Sequence, residues 1–264
     1  AETAGLGTVN IPTSIATCAA FTTMSVMYTP QGAKKTCWRF EHEVDAVLVD
    51  MDVIASCPIR YAAAGILDAM AKRIEIQNGK PVMTLEDNRF DLFTAFKMSE
   101  YTYDVLEKYG PQAIEDIRCH KVTKAVEDIT FINIAVTGVI ANITKSFSQS
   151  ALGHMMYDGV RTFFTKEAEA ALHGEIVAVA LFAQLYYNQL DGVDAAVLLP
   201  PAHFYGDILE IGHLVADSRG DAPVQGHNNT AVDLAVLAQR SRQGASHICQ
   251  TAGCGKGQCL AGSK

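Results

Sequence analysis

Residues 129–144 carry no charged side chain, and this run limits the fold more than any other stretch. It includes Asn133, Asn142 and three threonines. It falls short of the ~20 predominantly apolar residues that a membrane-spanning helix needs. Its apolar surface must therefore be covered by protein. The surrounding text, 125–160, predicts one or two helices buried on most sides. A chain organised around such a segment is expected to be mostly α.

The rest of the chain fits that expectation. "TVNIP" (8–12) predicts a short buried strand, and "TTMSVMYTPQGAK" (22–34) a strand that turns at Pro30–Gly32 into a hairpin. "DAVLVD" (45–50) predicts one more short strand. Helical text follows. One helix starts near Ser56 and Pro58 and stops at Asn78–Gly79. A second runs through "LEDNRFDLFTAFKMSEYTYDVLEKYG" to Gly110, and another is expected in "HGEIVAVALFAQLYYNQL". From Asp191 the texture changes to short apolar runs, Pro200–Pro201 and a Gly/Cys-rich end that is expected to be flexible. The domain expectation is a small α/β part over 1–50, a helical part over 51–190 and a divergent part over 191–264.

Composition narrows the function classes. A net charge of −8 without a basic cluster argues against nucleic-acid binding. Seven scattered cysteines, an odd number without a framework, point to a reducing compartment and a cytoplasmic protein. No signal-peptide pattern or spanning segment is visible. The absence of a leading Met suggests a processed or fragmentary chain.

Asp68 is the first chemical anomaly. On a helix its neighbours are Ala64, Gly65, Leu67, Ala69 and Ala71. A carboxylate on such a face needs a partner or a proton. Arg60 or Arg73 could pair with it, or a metal could bind it. His154 and His173, each beside a glycine, would complete a set of one carboxylate and two imidazoles suited to zinc or ferrous iron. Three protein ligands leave one position open, the catalytic arrangement. On spacing alone both histidines fit hydrogen-bonded core residues better, because positions nineteen apart form no compact motif. His247, Cys249, Cys254 and Cys259 match no zinc-ribbon spacing, His213 is not expected to be a ligand, and "AGCGKG" lacks the spacing of a phosphate-binding loop.

Three blocks in order, "NIPTSIATCAAFTTMSVMYTPQG", "DAVLVDMDVIASCPIRYAAAGILDAMAK" and "GHMMYDGV…LHGEIVA", resemble the glycerol dehydrogenase branch of the iron-containing (group III) alcohol dehydrogenases. The match covers residues 1 to about 190. The resemblance implies a dehydroquinate synthase-like architecture, with an α/β nucleotide-binding domain and a helical metal-binding domain. It implies Asp68, His154 and His173 as metal ligands. Lys72 stands where iron-type members carry a fourth ligand, which favours a three-ligand zinc site over iron. The implied chemistry is oxidation of an alcohol or polyol by hydride transfer to NAD(P). Thr13, Ser14, Ile15, Ala16, Thr22, Met24 and Tyr28 would contact the dinucleotide. Tyr157 stands where some relatives carry a further histidine.

Cys18 occupies a substrate-pocket position that is an Asp in glycerol dehydrogenases, which puts glycerol itself in doubt and leaves room for a less polar or a phosphorylated alcohol. The family's glycine-rich turn would lie upstream of "AETAGLG", so the chain is expected to be an N-terminally truncated form. The change at Asp191 suggests a divergent or frame-shifted end. The expected partners are a small alcohol or polyol and, left open, a second copy of the chain. Two rivals remain. One is a non-catalytic metal-binding helical module without its dinucleotide domain. The other is a lyase of the dehydroquinate synthase type, disfavoured by the scarcity of Lys and Arg near the three ligand candidates.

Overall fold

The computed structural model describes residues 4–77, 83–87, 89–148 and 151–189. These fall within one unit, Ala1–Gln225. The expectations for residues 191–264, including the divergent texture and the flexible end, lie outside the described residues.

Four short strands come first. β1 (Val9–Asn10) pairs in parallel with β4 (Ala46–Val47), Val9 beside Ala46. β2 (Met24–Tyr28) and β3 (Lys34–Arg39) form the expected antiparallel hairpin. Its turn closes through Gly32 N–H donating to the Thr29 carbonyl at 2.9 Å, with Gly32 at φ 85, a conformation that glycine adopts without strain.

Helices make up most of the remaining described residues. α1 (Met51–Ala55) is capped by the Asp50 carboxylate, which accepts from the backbone of Asp52 and Val53. α2 (Ile59–Glu75) follows Pro58 and is buried continuously from Ala62 to Lys72. α3 spans Phe90–Arg118 and carries Pro111 inside it. The expected stop at Gly110 is therefore wrong. Losing one backbone donor at Pro111 costs about 3 kcal/mol. The apolar stripe continues beyond it through Ala113, Ile114 and Ile117, all buried, at about 1.5–3 kcal/mol for each large side chain. The true end is a Schellman motif, with His120 at φ 53 and the Lys121 N–H reaching the Asp116 carbonyl at 2.8 Å.

The uncharged run lies in α4 (Lys124–Phe131), a π-helical turn over Ile132–Val136 and α5 (Thr137–Ser148). Taken from Lys124 to Thr144, this rod is long and apolar enough by composition to cross a membrane, yet 56% of its most apolar window is buried inside the protein. At the π turn, buried Asn133 donates to the Ile15 carbonyl at 3.3 Å. α6 (Leu152–Phe163) and α7 (His173–Tyr187) are the last helices among the described residues. His154 thus sits in the first turn of a separate helix rather than at the end of the long segment.

α2 is the central rod, packed against α3 on one side and α7 on another. Ile66, Leu67 and Met70 join Leu106, Ile117 and Ile129 in the main core. Ala71 and Ile74 join Tyr157, Val177 and Leu181 in a second cluster. Two glycines permit these contacts. A Cβ on Gly65 would lie 1.8 Å from the Ile15 carbonyl oxygen, and one on Gly174 would lie 1.9 Å from that of Ala64. Main chain therefore touches main chain where the strand region and the start of α7 meet α2.

Candidate metal centre

Asp68 lies one turn beyond Ala64 and Gly65, and the Gly174–Ala64 contact brings the first residue of α7, His173, close to it. α6 supplies His154. The three side chains converge: His173 Nε2 is 3.3 Å and His154 Nε2 3.5 Å from Asp68 Oδ1, and the two Nε2 atoms are 3.3 Å apart. Four ligands around zinc with bonds of about 2.0–2.1 Å stand about 3.4 Å from one another. The three gaps match that spacing.

Asp68 is 3% exposed, and its Oδ1 has no hydrogen-bond partner. The expected alternatives for it are ruled out: Arg60 is engaged by Glu175, and Arg73 lies 3.3 Å from Glu100 and over the Phe96 ring. A buried carboxylate oxygen without a donor, facing two imidazole nitrogens, fits a cation. Burial pushes the Asp68 carboxyl up, but Lys72, His173 and His154 together hold it well below the usual carboxylate range.

The support around these ligands is specific. Buried Glu75 places both oxygens 2.8 Å from His154 Nδ1 and accepts from the His154 backbone N–H at 2.9 Å. A proton on Nδ1 leaves the Nε2 lone pair facing Asp68 and His173, the orientation that metal-bound histidines require. Burial raises the Glu75 carboxyl, and His154 and Lys72 together bring it below its ordinary value. Gly153 allows the approach, since a Cβ there would lie 2.5 Å from Glu75 Oε1. At α7, Glu175 accepts from the Leu172 N–H and from Arg60 Nη2, both at 2.7 Å, while Arg60 Nη2 also donates to the Ala170 carbonyl. The Tyr157 ring meets His173 edge-on, with centroids 4.2 Å apart.

The cluster opens into a cavity of about 1060 Å³. Cys18, Thr22, Met24 and Tyr28 line it, whereas Thr13, Ser14, Ile15 and Ala16 do not. Ile15 is fully buried in the core, and its carbonyl is taken up by Asn133. The Tyr28 and Tyr157 hydroxyls meet at 2.7 Å across the cavity, and Lys34 on β3 pairs with Asp158 on α6. Burial raises the Cys18 thiol to about 11, so it is neutral at ordinary pH.

Sequence reasoning missed Glu75 and Lys72 as members of the site. Both share the face of α2 that carries Asp68, at i+7 and i+4, which is the signal that could have found them. The expected scarcity of cations near the ligands is also corrected: Lys72 Nζ is 3.2 Å from His154 Nε2 and 3.8 Å from Asp68 Oδ1.

Comparison with known proteins agrees with this architecture. No protein-family model matches the chain. Glycerol dehydrogenase of Thermotoga maritima is 31% identical over 182 residues, which is 67% of this chain and 47% of that protein. Hydroxycarboxylate dehydrogenase A of Escherichia coli K12 is 29% identical over 180 residues, 68% of this chain and 49% of that protein. The crystal structure of glycerol dehydrogenase from Schizosaccharomyces pombe superposes with a TM-score of 0.63 at 22% identity, over 78% of this chain and 50% of that one. The chain spans about half the length of the curated relatives it matches. It is a glycerol dehydrogenase-like member of the iron-containing alcohol dehydrogenase family.

Proposed function

We propose that this chain carries the metal half of an NAD(P)-linked dehydrogenase acting on a small alcohol or polyol. The observation that carries the reading is the triangle of Asp68 Oδ1, His154 Nε2 and His173 Nε2, with sides of 3.3–3.5 Å around a carboxylate oxygen that has no hydrogen-bond partner.

These three residues would hold a divalent cation and leave one position for substrate oxygen. Zinc is favoured over iron, since Lys72 stands where a fourth imidazole would be required and an ammonium is not a ligand. Bound there, the cation supplies the Lewis acidity that acidifies an alcohol hydroxyl, and a nicotinamide ring supplies the hydride acceptor. The protein's own work is placement. Glu75 fixes the His154 ring, the Arg60–Glu175 pair fixes the start of α7, and the Tyr157 ring packs on His173. Thr22, Met24 and Tyr28, on the cavity wall, would face the nicotinamide end of the dinucleotide, and Cys18 the substrate. Cys18, Cys37, Cys57 and Cys119 are all free, in keeping with a compartment that keeps thiols reduced.

The second reading is a metal-binding module that takes no dinucleotide. Two measurements separate them. Elemental analysis should find one zinc per chain, and His173→Ala should weaken zinc binding at least about tenfold, as loss of one of three ligands requires. Titration followed by nicotinamide fluorescence should show binding near the metal. Zinc without dinucleotide binding selects the module. Unchanged zinc affinity in His173→Ala returns the histidines to the core.

A further inference from the structure

Among the cavity-lining cations, Lys72 reaches the ligand triad, and it is 7% exposed. Its two close partners are both ligand atoms, His154 Nε2 at 3.2 Å and Asp68 Oδ1 at 3.8 Å. A cation in the triad takes the Nε2 lone pair and so removes the hydrogen-bond acceptor of Lys72. Glu75 adds its charge nearby, but both its oxygens lie 2.8 Å from His154 Nδ1. Cys18 shares the cavity and supplies no charge. Two carboxylates, one ammonium and a divalent cation then leave one positive charge over, in a place where an unpaired buried charge is strongly unfavourable. A polyol enters uncharged and corrects this only by giving up a hydroxyl proton, whereas a carboxylate corrects it on arrival.

Resting on the metal-centre reading above, we propose that the substrate is a 2-hydroxycarboxylate, with its hydroxyl at the triad and its carboxylate on Lys72. Position selects this class. Lys72 Nζ lies within 3.2–3.8 Å of the ligand atoms themselves, so the anionic group must sit on the carbinol carbon. A phosphate several bonds away would pass the ammonium by. Lys72 is thus a specificity-determining residue that touches substrate.

Glycolate and ethylene glycol test this, being alike in size and differing in one carboxylate. The full chain is loaded with cobalt(II), and the visible d–d bands report each ligand without any turnover. Glycolate should bind at least about tenfold more tightly, the factor expected for one charge-assisted hydrogen bond. Lys72→Met should erase that preference while keeping the cobalt and the helical circular dichroism, and Lys72→Arg should restore part of it. Equal binding of the two ligands by the wild-type chain overturns this proposal alone. A preference that survives in Lys72→Met overturns it too, showing that the metal grips the carboxylate unaided. Tighter cobalt binding in Lys72→Met with no loss of glycolate would mark the ammonium as the metal's competitor and also overturn it. A chain that takes up no cobalt overturns the metal centre together with this proposal.

Discussion

At the metal end, three helices meet closely enough that Gly153 and Gly174 stand at their contacts with α2, and the titratable groups Asp68, Glu75, His154, His173 and Lys72 answer one another. At the strand end, the two pairs of strands and the residues flanking them carry apolar side chains outward. Leu6 is 66% exposed, Ile11 64%, Leu48 56% and Trp38 52%. A two-stranded parallel pair such as β1–β4 has little stability of its own, and parallel strands are ordinarily covered on both faces. The difference shows where the chain's information is concentrated. The metal end is over-determined by packing, and the strand end borrows its order from the helices through Asn133 donating to the Ile15 carbonyl and Asn142 to that of Phe21.

Substitutions should divide along the same line. Gly174→Ala places a methyl group against the Ala64 carbonyl and should lower stability by about 3 kcal/mol, read as a drop in the urea midpoint at unchanged slope. A smaller loss would show that α2 and α7 can slide apart and that the metal end is looser than its contacts indicate. Glu75→Gln keeps the shape but weakens the hold on His154, and should reduce zinc affinity by about tenfold or more in a chelator competition. Trp38→Ser, on the exposed hairpin, should change stability by no more than about 0.5 kcal/mol. A loss above about 1 kcal/mol would reveal cover on that face and narrow the contrast between the two ends.

Parts of this were legible in the sequence because they depend on one residue's chemistry. Asp68 on an alanine face announces a buried charge whatever surrounds it, and Pro30–Gly32 announces a turn. His154 and His173 were not legible from spacing, since their ligand atoms meet Asp68 only after three separate helices pack; the order of the family's motifs brought them forward. The fourth-position reading of Lys72 stopped at what it is not, a ligand, and missed where its ammonium goes. Thr13, Ser14, Ile15 and Ala16 were taken from a motif as a block; the chain buries Ile15 there, and after Asn10 the cavity lining resumes at Thr17. The Gly110–Pro111 pair looked like a helix stop because local propensity was weighed without the buried residues that follow.

The glycine contacts have a thermal consequence. Side chains hop between rotamers while a fold is intact, but the main chain of a packed helix does not. Because α2 and α7 meet through the Ala64 carbonyl and the bare Cα of Gly174, the distance from Asp68 to His173 is set by two backbones with nothing soft between them. The ion's grip should then stay nearly constant on warming and vanish in one step, so that release of the metal and melting of the helices are a single event.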